Sequence, residues 1–293
     1  MTCLSDNFTL IHKLGSGSFG EVYLANSEKG KICAAKVEEK KTSSRLKGEY
    51  NIYIKLKNCG VSRGIPKIYN FIETPQYNIL TMQLLGKSLD EIFVENDKKF
   101  DIATVIKLAY DIVTLLEMVH NAGFIHRDIK PNNFLIGHAN KNHKVYIMDF
   151  GLSKQYINNK NNNHINISTH RSLVGTARYA SINVHMGIEP SRRDDLESVG
   201  YMLIYFLKGV LPWQNLKKKE GTEQIQLIGE TKMCTNVDKL CENTHSCFAE
   251  YIKYCKKLDF DEKPDYNYIR ALFNDGAQRL KIKPKYFWLD SAI

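Results

Sequence analysis

The chain has 293 residues, 43% hydrophobic and 25% charged, near globular averages, which excludes a disordered tail and leaves ample apolar surface for a core. Its 18 glycines and 7 prolines are too few for a collagenous or low-complexity protein, and its longest apolar run, at residues 201–207, is far short of the roughly 18 residues a membrane span requires. A formal net charge of +9 suits either nucleic acid or anionic protein substrates, and composition alone does not choose between them.

In chain order, residues 1–85 read mostly as strand. Residues 8–14, 21–25, 31–37 and 77–84 are short β-rich runs, and Ser27-Glu28-Lys29-Gly30 turns the second into the third. One helix is expected between them, over residues 44–58, with Thr42, Ser43 and Ser44 as cap candidates. From Gly86 the pattern turns helical. Ser88-Leu89-Asp90-Glu91 is a capping-box sequence. After Asp101, the residues Ile102, Val105, Ile106, Ala109, Ile112, Val113 and Leu116 form one apolar stripe, and Gly123 ends that helix. A second buried helix is predicted over residues 195–208, stopped by Gly209, while residues 158–166, rich in Asn and Lys, read as an exposed loop. The expected fold is α+β and two-lobed: a small β-rich lobe with one helix, residues 1–85, and a larger helical lobe, residues 86–293, together one domain.

Residues 1–14 have neither a basic start nor an apolar stretch, so no signal peptide is read and an intracellular location is expected. The seven cysteines are odd in number and contain no C-x-x-C pair, which argues against a disulfide framework and a zinc site. Cys241, His245 and Cys247 are the nearest approach to a metal set, and helix-packing cysteines are the commoner explanation. The basic runs Lys217-Lys218-Lys219, Arg192-Arg193 and residues 281–285 have no zinc-finger, helix-turn-helix or aromatic RNA-binding signature beside them, so nucleic acid is not the expected partner.

Chemistry first shows in Gly15-Ser16-Gly17-Ser18-Phe19-Gly20-Glu21-Val22. Glycines at this spacing let backbone N–H groups approach phosphate oxygens without an intervening Cβ. A dinucleotide fingerprint would continue into a helix and a Walker loop into Lys-Ser/Thr, whereas residues 21–25 alternate like a strand. A strand–loop–strand flap is what remains. Ala34-Ala35-Lys36 follows, and a lysine flanked by small residues on a strand needs a counter-charge if it is to meet phosphates. Glu49 on the next helix is the candidate, with Tyr53 one turn further on the same face.

Two later segments decide the reading: His126-Arg127-Asp128-Ile129-Lys130-Pro131-Asn132-Asn133 and Asp149-Phe150-Gly151. H-R-D-x-K-x-x-N and D-F-G in this order, behind a glycine loop and an A-x-K lysine, form the protein-kinase signature set. Phosphoryl transfer is mostly positioning and electrostatic stabilisation of charge on the phosphoryl oxygens. Asp149 supplies a hard carboxylate oxygen for Mg2+ and Asn133 an amide oxygen for a second ion. Asp128 would orient the substrate hydroxyl and accept its proton, with Lys130 over the γ-phosphate. Thr176 resembles the threonine that ties these two together in serine/threonine kinases, and with Lys130 it tips the reading away from tyrosine.

Further stretches resemble one family. Leu85-Gly86-Lys87-Ser88-Leu89, Gly175-Thr176-Ala177-Arg178-Tyr179-Ala180-Ser181-Ile182-Asn183, Ser191-Arg192-Arg193-Asp194-Asp195-Leu196-Glu197-Ser198 and Leu211-Pro212-Trp213-Gln214 closely resemble casein kinase I, a likeness running from about Phe8 to the C-terminus. Ser181-Ile182-Asn183, where most kinases have A-P-E, is its most specific element. The resemblance implies that Asp195 braces the catalytic-loop backbone and that residues 15–20 cover the ATP phosphates. It also implies that Leu14, Val22, Ala34, Met82, Leu85, Leu135 and Met148 enclose adenine, Met82 as gatekeeper; each of these apolar residues has core packing as its blander reading.

The same likeness implies a preference for serines shortly downstream of a phosphoserine or acidic residue, read by an arginine matching Arg178 and a lysine whose position matches Gln224. It further implies activity without activation-segment phosphorylation, with outside anions meeting Arg127, Arg171 and Arg178. Gln83 and Asn132 replace acidic residues of the family, Gln224 replaces the lysine, and Gly221 and Thr222 replace neighbouring basic positions. The expectation is a monomeric serine/threonine kinase of the cytoplasm or nucleus, using ATP and Mg2+ on protein substrates with acidic or phosphorylated residues upstream. A pseudokinase scaffold is the alternative, disfavoured because Lys36, Asp128, Asn133 and Asp149 are all present.

Overall fold

A computed structural model describes residues 2–5, 8–17, 20–27, 30–40, 44–158, 162–216 and 223–290. Ser18, Phe19, Glu28, Lys29, Thr42, Ser43, Lys217, Lys218, Lys219, Gly221 and Thr222, along with part of the Asn-rich loop, lie outside the described residues. The chain divides into two compact units, Met1–Lys87 with Leu135–Ser153, and Ser88–Phe134 with Lys154–Ile293.

The first unit is built on a six-stranded antiparallel sheet. Its strands are β1 (Thr2–Ser5), β2 (Phe8–Gly17), β3 (Gly20–Ser27), β4 (Ile32–Glu39), β5 (Ile68–Glu73) and β6 (Tyr77–Met82), in the order β1-β2-β3-β4-β6-β5. Leu10, Ala25, Cys33, Ala35, Val37 and Ile79 form the core on one sheet face. Helix α1 (Arg45–Asn58) interrupts the strands where the sequence predicts it, with Ser44 accepting the Lys47 N–H at 3.1 Å as N-cap. Its buried stripe is Leu46, Glu49, Tyr53 and Leu56, so a carboxylate sits where helical periodicity puts a core residue. Sequence periodicity does not mark β5, an edge strand with no fully buried residue.

A second, three-stranded sheet has the order β10-β9-β7, where β7 is Leu85–Ser88, β9 Phe134–Gly137 and β10 Val145–Ile147. The pairing of β9 and β10 with β7, and a bond from Ile147 N–H to the Gly64 carbonyl at 2.8 Å, tie residues 135–153 to the first unit. The partition therefore differs from the single cut at residue 85 read from the sequence.

The second unit is mainly helical. Helix α2 (Leu89–Glu95) starts with a capping box in which the Ser88 hydroxyl accepts Glu91 N–H and the Glu91 carboxylate accepts Ser88 N–H. Helix α3 (Ile102–Asn121) is capped by Asp101 and buries Val105, Ile106, Ala109, Ile112, Val113 and Leu116. Short strands β8 (Phe124–Ile125) and β11 (Lys154–Gln155) pair on either side of the central motifs. Next come α4 (Ile182–His185) and α5 (Arg192–Lys208), which begins before the predicted Asp195, where the Asp194 carboxylate accepts the Ser191 N–H at 2.7 Å. Helices α6 (Gln224–Cys234), α7 (Val237–Leu240), α8 (Ser246–Lys257) and α9 (Tyr266–Arg279) complete nine among the described residues.

Cys33, Cys241, Cys247 and Cys255 are buried as core residues while Cys59 and Cys234 are exposed, and burial pushes the thiols of Cys241 and Cys247 up to about 11 and about 12. Among the described residues no cluster of three or more His, Cys, Asp or Glu is arranged for a metal, and no helix is long and apolar enough to cross a membrane.

Candidate active site

Strand register assembles the candidate residues of the first unit. In antiparallel pairs, directly opposed residues share a face. Val22, Lys36 and Leu80 lie opposite one another across β3, β4 and β6, and Leu24, Ala34 and Met82 form the adjacent row. These rows alternate with the core cluster, so Val22, Ala34, Lys36 and Met82 share the other face. Leu14 sits at an irregularity in the β2–β3 register and is exposed. Leu85 lies on β7, Leu135 on β9, and Met148 directly follows β10.

The glycine hairpin is constrained at one end and open at the other. Gly20 has φ +133°, and a Cβ there would lie 2.2 Å from the Val37 carbonyl, so only glycine allows this approach of β3 to β4. A Cβ on Gly15 or Gly17 would meet nothing within 4 Å, leaving room beside the backbone for a polyphosphate.

Lys36 is buried and anchored twice, at 2.6 Å from Glu49 Oε2 and 3.0 Å from Asp149 Oδ1. Burial alone would push the ammonium down, but the two carboxylates carry it above its ordinary value and keep it charged. Burial raises the Glu49 carboxyl, with Lys36 opposing that shift. Asp149 adopts a left-handed backbone (φ 65°), and its N–H donates to the Tyr53 hydroxyl at 3.2 Å. Tyr53 also meets the Phe150 ring edge-on at 5.0 Å, so α1 holds both Asp149 and Phe150.

A separate cluster lies within the second unit. Asp128 Oδ1 accepts the Thr176 hydroxyl at 2.8 Å; Oδ2 accepts Lys130 Nζ at 2.6 Å and Asn133 Nδ2 at 3.2 Å. Asn133 Nδ2 also donates to the Asp128 carbonyl at 2.8 Å, which turns the amide oxygen the opposite way. Gly175, at φ +89°, makes the threonine contact possible, since a Cβ there would lie 2.3 Å from the Arg127 carbonyl. The catalytic loop is held from below by Asp195, which accepts His126 N–H at 2.7 Å and Arg127 N–H at 2.8 Å and meets His120 Nε2 at 2.9 Å. Three partners keep Asp195 ionised below its ordinary value although burial opposes this, and they hold Arg127 in a left-handed conformation (φ 68°).

The protein kinase domain family matches residues 8–269 of the chain. The chain belongs to the protein kinase family. Membership makes it a phosphotransferase that uses ATP, usually with Mg2+, on protein substrates. Within the first unit, room beside Gly15 and Gly17, a charged Lys36 and the Asp149 carboxylate fit those groups, as does the chemistry of the Asn133 amide oxygen in the second.

Side chains of the kinase also fix the segment around Arg178. Lys232, buried on α6, donates to the Ala177 carbonyl at 2.8 Å and the Ala180 carbonyl at 2.5 Å; Trp213 Nε1 donates to the Arg178 carbonyl at 2.7 Å. Burial pushes Lys232 down to about 7, and burial together with Lys232 pushes His185 down to about 4. The Arg178 guanidinium lies over the Tyr179 and Tyr205 rings at 5.8 and 5.6 Å. Arg127 and Arg171, grouped with Arg178 by the sequence as receivers of outside anions, face a charge of the kinase itself. Arg171 Nε is 3.0 Å from Glu189 Oε2, Lys154 Nζ is 2.8 Å from Oε1, and Arg127 lies within the field of the same carboxylate. Motif reading passes over Lys154, Glu189 and Lys232, which resemble ordinary surface charges until folding buries their contacts.

Proposed function

We propose that the chain is a serine/threonine kinase of casein kinase I type, transferring the γ-phosphate of ATP to protein hydroxyls near upstream acidic or phosphorylated residues. The observation that carries this reading is the triple anchoring of Asp128 by Lys130, Thr176 and Asn133. In this reading Asp128 orients the substrate hydroxyl and takes its proton. Lys130 stays beside Asp128 and offsets charge on the transferring group. Lys36, fixed by Glu49, holds ATP phosphates; Asp149 and Asn133 hold Mg2+; and the face bearing Val22, Ala34 and Met82, with Leu14, Leu85, Leu135 and Met148, takes adenine. Bound Mg2+–ATP supplies the phosphoryl group with its charge partly neutralised. The enzyme is read as a monomer of the cytoplasm or nucleus that does not act on nucleic acid.

Ser181-Ile182-Asn183 supports the family assignment by the way it joins α4 to α5. The Ser181 hydroxyl donates to Asp194 at 2.6 Å, Asn183 Nδ2 to the same oxygen at 3.2 Å, and Ile182 N–H to Glu197 at 2.8 Å.

Substrate priming is where this chain should differ from its family. Gln224 is the exposed first residue of α6, about two turns before Lys232, which grips the carbonyls flanking Arg178. A phosphate carries about −1.5 to −2 charges and is held best by charged donors, while a glutamine amide donates without net charge. Gln224→Lys is expected to raise the ratio of catalytic efficiencies on a primed peptide and its unphosphorylated parent by about tenfold, the difference between a charged and a neutral hydrogen bond. Steady-state kinetics on the two peptides measures it; an unchanged ratio removes Gln224 from the recognition site.

A further inference from the structure

Glu189 is 3% exposed, yet it lies on no regular element and belongs to none of the motifs that identify a kinase. Its carboxylate gathers charges from three stretches of chain: Lys154 at the start of the activation segment, Arg171 near its far end, and Arg127 of the catalytic loop. The Ser168 hydroxyl is 3.4 Å from Oε2 and also receives Arg171 Nε at 3.0 Å. Backbone bonds reinforce the junction. Glu189 N–H donates to the Ser168 carbonyl at 2.8 Å, and Arg171 N–H to the Gly187 carbonyl at 2.9 Å. Burial by itself would raise the Glu189 carboxyl, but Lys154, Arg171 and Arg127 bring it below its ordinary value, so it is ionised.

Kinases switched by phosphorylation order this segment by setting a phosphorylated residue against basic side chains that include the catalytic-loop arginine. We propose that in this chain Glu189 is the built-in anion of that junction, holding Arg127, Lys154 and Arg171 together without any phosphate. Its charge is about half that of a phosphate, but it is buried and bonded through backbone as well as side chain, so it is permanent where a phosphate is conditional. The carboxylate thus anchors Lys154 and Arg171 directly, and its field acts on Arg127, whose peptide adjoins Asp128. Glu189 is a positioning residue: it acts on Asp128 through Arg127 and touches neither nucleotide nor hydroxyl. The inference rests on kinase family membership and not on the serine/threonine or priming assignments.

The test uses phosphatase-treated full-length enzyme and an unphosphorylated, non-acidic peptide, so that no anion arrives with the substrate. Wild type should be fully active and indifferent to millimolar sulfate. Glu189→Ala should lower kcat by about tenfold, as expected for loss of a charge-assisted contact, with a smaller change in KM for ATP. Added sulfate should enter the vacated position and restore much of that loss, and it should suppress the faster proteolytic cleavage of residues 162–171 expected of the variant. Glu189→Asp should retain most activity without sulfate. A folded Glu189→Ala enzyme with wild-type kcat, or with reduced kcat that sulfate does not raise, overturns the proposal. Arg171→Gln, at a position more than half exposed, serves if Glu189→Ala does not fold. The proposal then requires a several-fold loss of kcat with faster cleavage of the segment, and unchanged values overturn it.

Discussion

Asp128→Asn should leave ATP binding almost intact while reducing turnover by about a hundredfold or more, the usual weight of a positioned general base. The substitution keeps the shape and still offers an acceptor oxygen to the Thr176 hydroxyl, which reaches Oδ1 at 2.8 Å. It removes the group that takes the hydroxyl proton and the negative charge that holds Lys130 at 2.6 Å. The loss should therefore appear in kcat, with KM for ATP little changed, because the residues proposed to face adenine lie in the other unit. Wild-type turnover by Asp128→Asn would overturn the assignment of the base.

Lys36→Met and Asp149→Ala should both abolish productive nucleotide use, yet differ sharply in stability. Lys36 and Glu49 form a buried pair with side chains 7% and 1% exposed. Removing the lysine strands the Glu49 carboxylate in the core, and breaking a buried pair from one side costs about 3–5 kcal/mol. Lys36→Met should therefore lower the unfolding free energy by that order along with eliminating activity. Glu49→Leu added to it should recover stability and no activity, since a matched apolar replacement removes the desolvation cost without restoring a phosphate ligand. Asp149 is more accessible, and its loss leaves the Lys36–Glu49 pair in place, so Asp149→Ala should lose Mg2+-dependent ATP binding with little change in unfolding. Calorimetric ATP titration and denaturant unfolding of the three variants separate these effects. Equal destabilisation by Lys36→Met and Asp149→Ala would contradict the described electrostatics.

The catalytic set was legible in the sequence because its members are close in chain and chemically unusual together. Asp128, Lys130 and Asn133 fall within one short segment, and the structure adds that Lys130 and Asn133 both donate to Asp128. The Lys36–Glu49 pair was also readable, since a strand lysine flanked by small residues needs a counter-charge and Glu49 lies on the next helix. Contacts closed by tertiary folding carried no such signal. Lys232 looks like any lysine near a helix end, and only packing beneath residues 177–180 turns it into a clamp. Glu189 looks like an exposed loop acid, and the family resemblance alone made Arg127 and Arg171 receivers of outside anions; that the fold sets the Glu189 carboxylate beside Arg171 carried no sequence signal. The same limit governs the fold. The long stripe of α3 and the capping box at Ser88 were readable, but α6 to α9 have short or mixed faces whose burial depends on neighbouring helices.

The central claim, a metal-dependent kinase specific for serine and threonine, is tested most directly by the identity of the phosphorylated residue. The purified chain, incubated with radiolabelled ATP, Mg2+ and an acidic protein substrate, should place label on phosphoserine and phosphothreonine, and chelation of Mg2+ should abolish transfer. Label on phosphotyrosine, transfer that persists without metal, or no transfer above that of Asp128→Asn would contradict the account.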